Sequence, residues 1–457
     1  MKKILLLLIS IFCVTPIFAS YKKINVPDSS SIRKQLVETW FEASLDEVRE
    51  KNPEIYSNSA GQKFQVRLEE TETTYKIVVA AGVLMPVTVI SKNGESQVDQ
   101  VVYPGTLPGS VHLIKDKKTD KPLSLRYFYS ADSDVYVQFS PYAKTSIADV
   151  VVFNYYAAKG VSTGVPFENF YTCSFDDAVR LTQKSLPWEY ISVDETKYDS
   201  IIKMVSVIKK NLGKIMYTPE SIYDENNNLV SEITGKEVNI LADDDEKRLY
   251  LSSAGFVKWI ADGLVKPVAG SQLKRGPLVT ETVKVKDVGN MGVFQQNNSA
   301  FFALNWIRNM SSAIISVYTN RTYTFENSGV DVNINPFASK IGSGSTSNTI
   351  NFVKDNGYNA DVLKSLLYVL AVKESGTFYF GAIRQTDRTR SPEIKVFNDC
   401  VVFFPYFNSG KGFECKVFMN GREMSLENFC ITHKEDYIYL TKARSSDVFY
   451  PYLPESE

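Results

Sequence analysis

Apolar positions recur at helical spacing between residues 30 and 50. In SSIRKQLVETWFEASLDEVRE, a capping serine precedes a stripe of Ile32, Leu36, Trp40, Leu45 and Val48, which predicts an amphipathic helix. From about residue 62 the alternation shortens to the period of a strand. The runs FQVRLEE, YKIVVAAGVLMPVTVI, VDQVVYP, SVHLIKD, LSLRYFY, DVYVQFS and DVVVFNYY read as strands. Turn signals lie between them at Lys92-Asn93-Gly94, Pro108-Gly109 and Asp132-Ser133-Asp134. Strands at this spacing predict a β-sandwich or barrel-like domain over residues 61–156, behind a helical segment over 20–60.

The pattern changes again at residue 157. Residues 157–212 read as a helical connection, with one helix starting near Ser174 and carrying Asp176 and Asp177 in its first turn. A second helix is expected over 195–212. Residues 213–457 carry helical periodicity near 254–265, 299–318 and 359–372. Strand-like runs follow near 377–384, 394–405, 413–420 and 437–443. Between them SKIGSGSTSNT, 339–349, reads as a flexible loop. Helices followed by antiparallel strands predict an α+β domain. The expected fold class is α+β: a β-rich sandwich or barrel-like domain, then an α+β domain with an antiparallel sheet.

The first residues change the picture of where this fold works. Lys2 and Lys3 precede an apolar run, Ile4 to Phe12, and the segment ends in Ile17-Phe18-Ala19-Ser20. This reads as a secretory signal peptide over 1–19, cleaved after Ala19. Export to the periplasm is expected, with the cell surface or medium as alternatives. No later run is apolar enough to span a membrane, so no integral segment is expected after cleavage. The chain has 51 basic and 52 acidic residues, for a net charge of -1. That balance gives no footprint for nucleic acid. Four cysteines remain beyond the leader: Cys173, Cys400, Cys415 and Cys430. They allow three full disulfide pairings, and nothing in the sequence selects one. With no CxxC pair and two histidines, no metal or cofactor is expected.

Candidate chemistry centres on YLSSAGFVKWIADGLV, residues 250–265. Ser252 or Ser253 caps a helix whose apolar face is Phe256, Trp259, Ile260, Gly263 and Leu264, with Lys258 and Asp262 on the other side and Pro267 ending it. A nucleophile at such a terminus sits in positive potential. The phrase Ser-Ala-Gly-Phe-Val resembles the Cys-Ser-Gly-Phe-Val-type helix start of the NlpC/P60 family, papain-like endopeptidases of peptidoglycan stem peptides. The resemblance covers residues 210–445. It implies a papain-like fold in which an antiparallel sheet follows the helix, as VFNDCVVFFPYFNSGKGFECKVFMNGRE (396–423) does here. The family's nucleophilic cysteine is replaced by Ser253. Asn398 and Asp399 stand where the resemblance places the catalytic histidine.

A serine hydroxyl needs a base, and the available imidazoles are His112 and His433. A Ser253–His433 dyad is one arrangement. Cys173, in Tyr171-Thr172-Cys173-Ser174, with His433 as base is another. Asp331-Val332-Asn333-Ile334-Asn335 begins like a calcium loop, but Pro336 stands where glycine is needed. Asp243–Glu246 reads as a solvated acidic run, and Arg384–Arg390 as an exposed basic connector. Tyr127, Phe128, Tyr129, Tyr136 and Phe139 fit either a glycan groove or a core. The leading expectation is a non-catalytic, envelope-associated binding or scaffolding protein, with peptidoglycan or an envelope protein as partner. The alternative is a peptidoglycan hydrolase using Cys173 or Ser253 with His433.

Overall fold

The alternating runs fold into antiparallel ladders that share one apolar core with the helices. The computed structural model describes residues 25–453 except 92–93, 241–247, 284–299, 339–350, 389–390, 392 and 409. The leader at 1–19, the acidic run at 243–246 and the loop at 339–349 lie outside the described residues. The chain is α+β, with antiparallel sheets and a sheet-rich N-terminal region.

In that region ten strands form in order: β1 (Glu54–Ser57), β2 (Lys63–Glu70), β3 (Thr74–Ala81), β4 (Val83–Ser91), β5 (Gly94–Val102), β6 (Val111–Asp116), β7 (Pro122–Tyr127), β8 (Val135–Tyr142), β9 (Thr145–Val152) and β10 (Tyr155–Ser162). Eight of them make a single antiparallel sheet in the order β1-β2-β3-β6-β7-β8-β9-β10. β1 and β10 are not paired to each other, so the sheet is an open meander and not a closed barrel. Helical segments, and not a second sheet, cover its inner face. There Phe139 stacks on Phe170 at 3.9 Å and Tyr127 meets Phe175 edge-on at 4.9 Å between ring centroids. The five aromatics that fitted either a groove or a core are all buried.

The single helix expected over 30–50 is broken. Ser30–Leu36 is helical, Val37–Phe41 widens into a π turn, and Leu45–Arg49 restarts behind a capping box of Ser44 and Glu47. The wide turn buries both Trp40 and Phe41. The run YKIVVAAGVLMPVTVI is also broken. At Gly82 the chain leaves the sheet, and among the described residues β4 and β5 pair only with each other.

In the C-terminal region β11 (Ile215–Tyr217) pairs with β14 (Leu249–Leu251), and β12 (Ser221–Tyr223) with β13 (Leu229–Ser231). The main sheet has seven strands: β15 (Phe352–Val353), β16 (Gly357–Asn359), β17 (Thr377–Asp387), β18 (Ile394–Asn408), β19 (Gly412–Met419), β20 (Arg422–Ser425) and β21 (Tyr437–Arg444). Their spatial order is β15-β16-β21-β17-β18-β19-β20. Helices Ser253–Ala269 and Phe302–Thr319 lie on one face, where Ser311 bonds Thr441 at 2.9 Å. Helices Leu363–Lys373 and Leu426–Thr432 lie on the other, where Tyr368 packs on Phe407 and Phe429 on Phe403.

Pro267 does not end its helix. The helix runs to Ala269 and stops at Gly270, whose φ of 72° takes the left-handed conformation that favours glycine. Asn408 pairs with Gly412, so Cys415 stands opposite Pro405. Cys400 stands opposite Ala382 on β17. The four described cysteines are thiols without disulfides. Among the described residues no helix is long and apolar enough to cross a membrane. The two regions are joined through buried contacts: Ser365 Oγ donates to the Phe153 carbonyl at 3.1 Å, and Tyr368 OH to that of Tyr190 at 2.6 Å.

Candidate functional site

The head of helix Ser253–Ala269 is built as its sequence suggests. Ser252 is the N-cap: its Oγ accepts from Gly255 N–H at 2.9 Å and donates to the Glu232 carboxyl. Gly255 is required by a close approach, because a Cβ there would lie 2.4 Å from the Ser221 carbonyl oxygen. Ser253, the first helical residue, is buried and faces β18.

The Ser253 hydroxyl accepts from Cys400 N–H at 3.2 Å. The register explains this bond. β19 pairs with β18 only as far as Val402, so Cys400 lies just beyond the end of that ladder. The serine supplies an acceptor to a buried edge N–H that the neighbouring strand does not reach. Beside it β18 bulges. Ile383 pairs with Asp399 and Arg384 with Phe397, leaving Asn398 as the extra residue.

These elements enclose a cleft of about 400 Å³ lined by Ser252, Ser253, Glu220, Glu232, Asp387, Asn398 and Asp399, among others. Among the described lining residues four are carboxylic acids, and none is Lys, Arg or His. Asp399 accepts from Gln385 Nε2 at 3.4 Å. Glu232 is buried, and burial pushes its carboxyl up to about 7 against the opposing bond from Ser252; Glu220 and Asp399 raise it further. Among the described residues no group of three or more His, Cys, Asp or Glu side chains is arranged to hold a metal ion.

The candidate residues are not brought together. His433 caps the end of helix Leu426–Thr432, with Nδ1 2.8 Å from Asp436 and its ring 4.5 Å from that of Phe429. It does not line the Ser253 cleft, and no hydrogen bond links it to Ser253 or Cys173. Cys173 follows the helical turn Asn169–Thr172 in the N-terminal region, and its carbonyl accepts from Arg33. Burial, then the nearby Asp177, pushes its thiol up to about 11, the opposite of an activated thiolate. His112 is buried in the first sheet against the Gly105 carbonyl at 2.8 Å, and burial pushes it down to about 4. The cleft can therefore orient a ligand by hydrogen bonds and negative charge. Its lining offers no imidazole to take a proton from Ser253.

Glu232 was not a candidate in the sequence. No motif marks it. It reaches the site because the β12–β13 pair folds VSEIT over the helix head, where Glu232 N–H donates to the Glu220 carbonyl at 2.8 Å.

The shift at Glu232 has a measurable consequence. In the unfolded chain its carboxyl ionises near the ordinary value of 4.5, while the folded protein holds the proton to about 7. The raised value means that its contribution is present below 4.5 and is lost as the pH rises through 7, an effect of at most about 3 kcal/mol. Glu232→Gln should remove this part of the pH dependence and raise the melting temperature at pH 8 relative to the parent. Equal pH profiles for the two proteins would show that Glu232 ionises normally.

Residues 22–190 match the model of a family described as a domain of unknown function (DUF8515). The match covers the N-terminal helices and sheet and stops before the Ser253 cleft. No curated protein and no solved structure matches the chain.

Proposed function

We propose that the protein is an exported, envelope-associated binding protein, and that the cleft at the head of helix Ser253–Ala269 receives a cationic group of its ligand. The observation that carries this reading is the position of Ser253. Its hydroxyl serves a strand N–H in a cleft whose described lining carries carboxyl groups and no imidazole. A negative, partly enclosed lining favours an ammonium over an anion, because a bound cation regains in the protein part of the interaction it loses from water. Peptidoglycan stem peptides carry such amines, and they are the ligand we propose. The arrangement of a serine at the helix head beside Asn398 and Asp399 also supports a papain-like fold without the thiol chemistry. Fold and function are separate steps here, and the cleft carries the second.

The test is co-sedimentation of the purified protein with isolated peptidoglycan sacculi, followed by analysis of released fragments. Binding without release is expected. Asp399→Asn should weaken it about tenfold, through loss of one charge-assisted contact. Acetylating the sacculus amines should weaken it as well. Fragment release that disappears in Ser253→Ala would overturn the reading in favour of hydrolysis. Binding that ignores both Asp399→Asn and acetylation would remove the cleft from the account.

A further inference from the structure

The β4–β5 ribbon stands apart from the rest of the fold. Its base is fixed where Gly82 N–H donates to the Lys63 carbonyl and Arg67 Nη1 to that of Tyr103 at 2.9 Å. Beyond that base the two strands pair with each other from Val83–Val102 to Ser91–Gly94 and, among the described residues, with no other strand. Side chains along it lie in solvent: Leu84 is 63 % exposed, Ile90 79 % and Val98 50 %. A two-stranded ribbon alone is marginal in water, and both of its edges present open backbone groups.

The two edges differ. Only two residues separate Ser91 from Gly94, so that pair closes the turn with hydrogen bonds, and the bonded pairs alternate from there. Val89–Ser96, Val87–Val98 and Met85–Gln100 are then bonded, while Pro86–Asp99 is not. Pro86 therefore sits where its missing N–H would point outward, which interrupts the β4 edge. On β5 the outward groups belong to Glu95, Gln97, Asp99 and Val101, and none is proline. One face of the ribbon is apolar, with Met85, Val87, Val89 and Val98 on it.

We propose that β5 pairs antiparallel with β5 of a second copy of this chain, about a twofold axis at Val98, to make a four-stranded ribbon. Val98 is the midpoint of Gly94–Val102, so this register pairs the whole strand. It sets Gln97 opposite Asp99 of the second copy and Glu95 opposite Val101. Moving the axis to Gln97 would oppose Glu95 to Asp99, and moving it to Asp99 would oppose that residue to itself. Both place like charges directly across the ladder, which is unfavourable. The Val98 register also lines up Val87, Val98 and their two counterparts in one row on the apolar face. A twofold contact of this kind uses the same surface on both copies and closes on itself.

Sedimentation of the purified protein over a range of concentrations tests the proposal. A dimer that dissociates on dilution is expected. Gln97→Glu places a second carboxylate opposite Asp99 twice per dimer and should weaken association about tenfold, while Gln97→Lys should strengthen it. Gln97 and Val98 are exposed, so neither change disturbs the core. Under mild oxidation Val98→Cys should cross-link the copies, and Glu95→Cys, which faces Val101, should not. A monomer at every concentration would overturn the proposal. So would a dimer unaffected by either Gln97 substitution, or one in which Glu95→Cys cross-links as well as Val98→Cys.

Discussion

Arg33→Met is expected to lower stability by about 4 kcal/mol. Arg33 is fully buried between the first helix and the inner face of the N-terminal sheet. Its Nε donates to Ser29 Oγ at 3.0 Å. Nη1 donates to Tyr127 OH at 2.9 Å and to the Phe170 and Tyr171 carbonyls at 3.2 and 2.7 Å. Nη2 donates to the Cys173 carbonyl at 2.5 Å. The turn Asn169–Thr172 ends with carbonyls that have no partner along the chain, and the guanidinium supplies one. Methionine fills the stem's space but leaves the Tyr171 carbonyl without its donor, and the Tyr127 hydroxyl can serve only one of the Phe170 and Cys173 carbonyls at a time. Lysine keeps the charge without the planar fork, so Arg33→Lys should recover only part of the loss. Urea unfolding measures both. A loss below about 1 kcal/mol for the methionine variant would mean that the acceptors find other donors, and the clamp would be unimportant.

The second large effect lies in the helix under the cleft. Lys258 Nζ and Asp262 Oδ2 are 2.6 Å apart, with side chains 1 % and 5 % exposed. Asp262 Oδ1 also accepts from Leu273 N–H at 2.8 Å, tying the segment after Gly270 back to the helix. Burial raises the Asp262 carboxyl, and the Lys258 ammonium opposes that shift. Lys258→Met removes the opposing charge and should cost about 4 kcal/mol, because the carboxylate is left buried without a countercharge. The double change Lys258→Met with Asp262→Leu should be the milder one, since it removes both desolvation penalties at the loss of the bond from Leu273 N–H. A double-mutant cycle read by urea unfolding separates these terms. Additive single effects would show that the two groups are solvated independently.

These cases also show which parts of the molecule were legible in advance. Strands β17, β18, β19 and β21 of the C-terminal sheet were readable because each carries a run of apolar residues between turn signals, whereas β15, β16 and β20 are too short to stand out. Ser253 was readable as a helix start because the caps and the apolar stripe agree. Its partner was not. The Cys400 N–H needs an acceptor only because β19 stops pairing at Val402, beyond which the chain turns back into β20. Cys173 looked reactive as a cysteine near a helix start. Burial, which has no local sequence signal, raises its thiol. His433 looked available beside Lys434, Glu435 and Asp436. The fold instead pairs it with Asp436 and packs it against the tilted ring of Phe429.

Local pattern by itself determined the α+β class, the position of most strands and the capped helix that begins at Ser253. Each of these depends on side-chain periodicity or on the hydrogen-bonding habits of neighbouring residues. Tertiary structure decided that the N-terminal strands form one open sheet, that Gly82 releases a separate ribbon, and that Glu232 reaches the helix head. Those outcomes depend on which distant surfaces bury one another, and apolar burial is non-directional. The same alternating run can enter a sandwich, a barrel or a single sheet, and only the competition among all the buried faces selects between them.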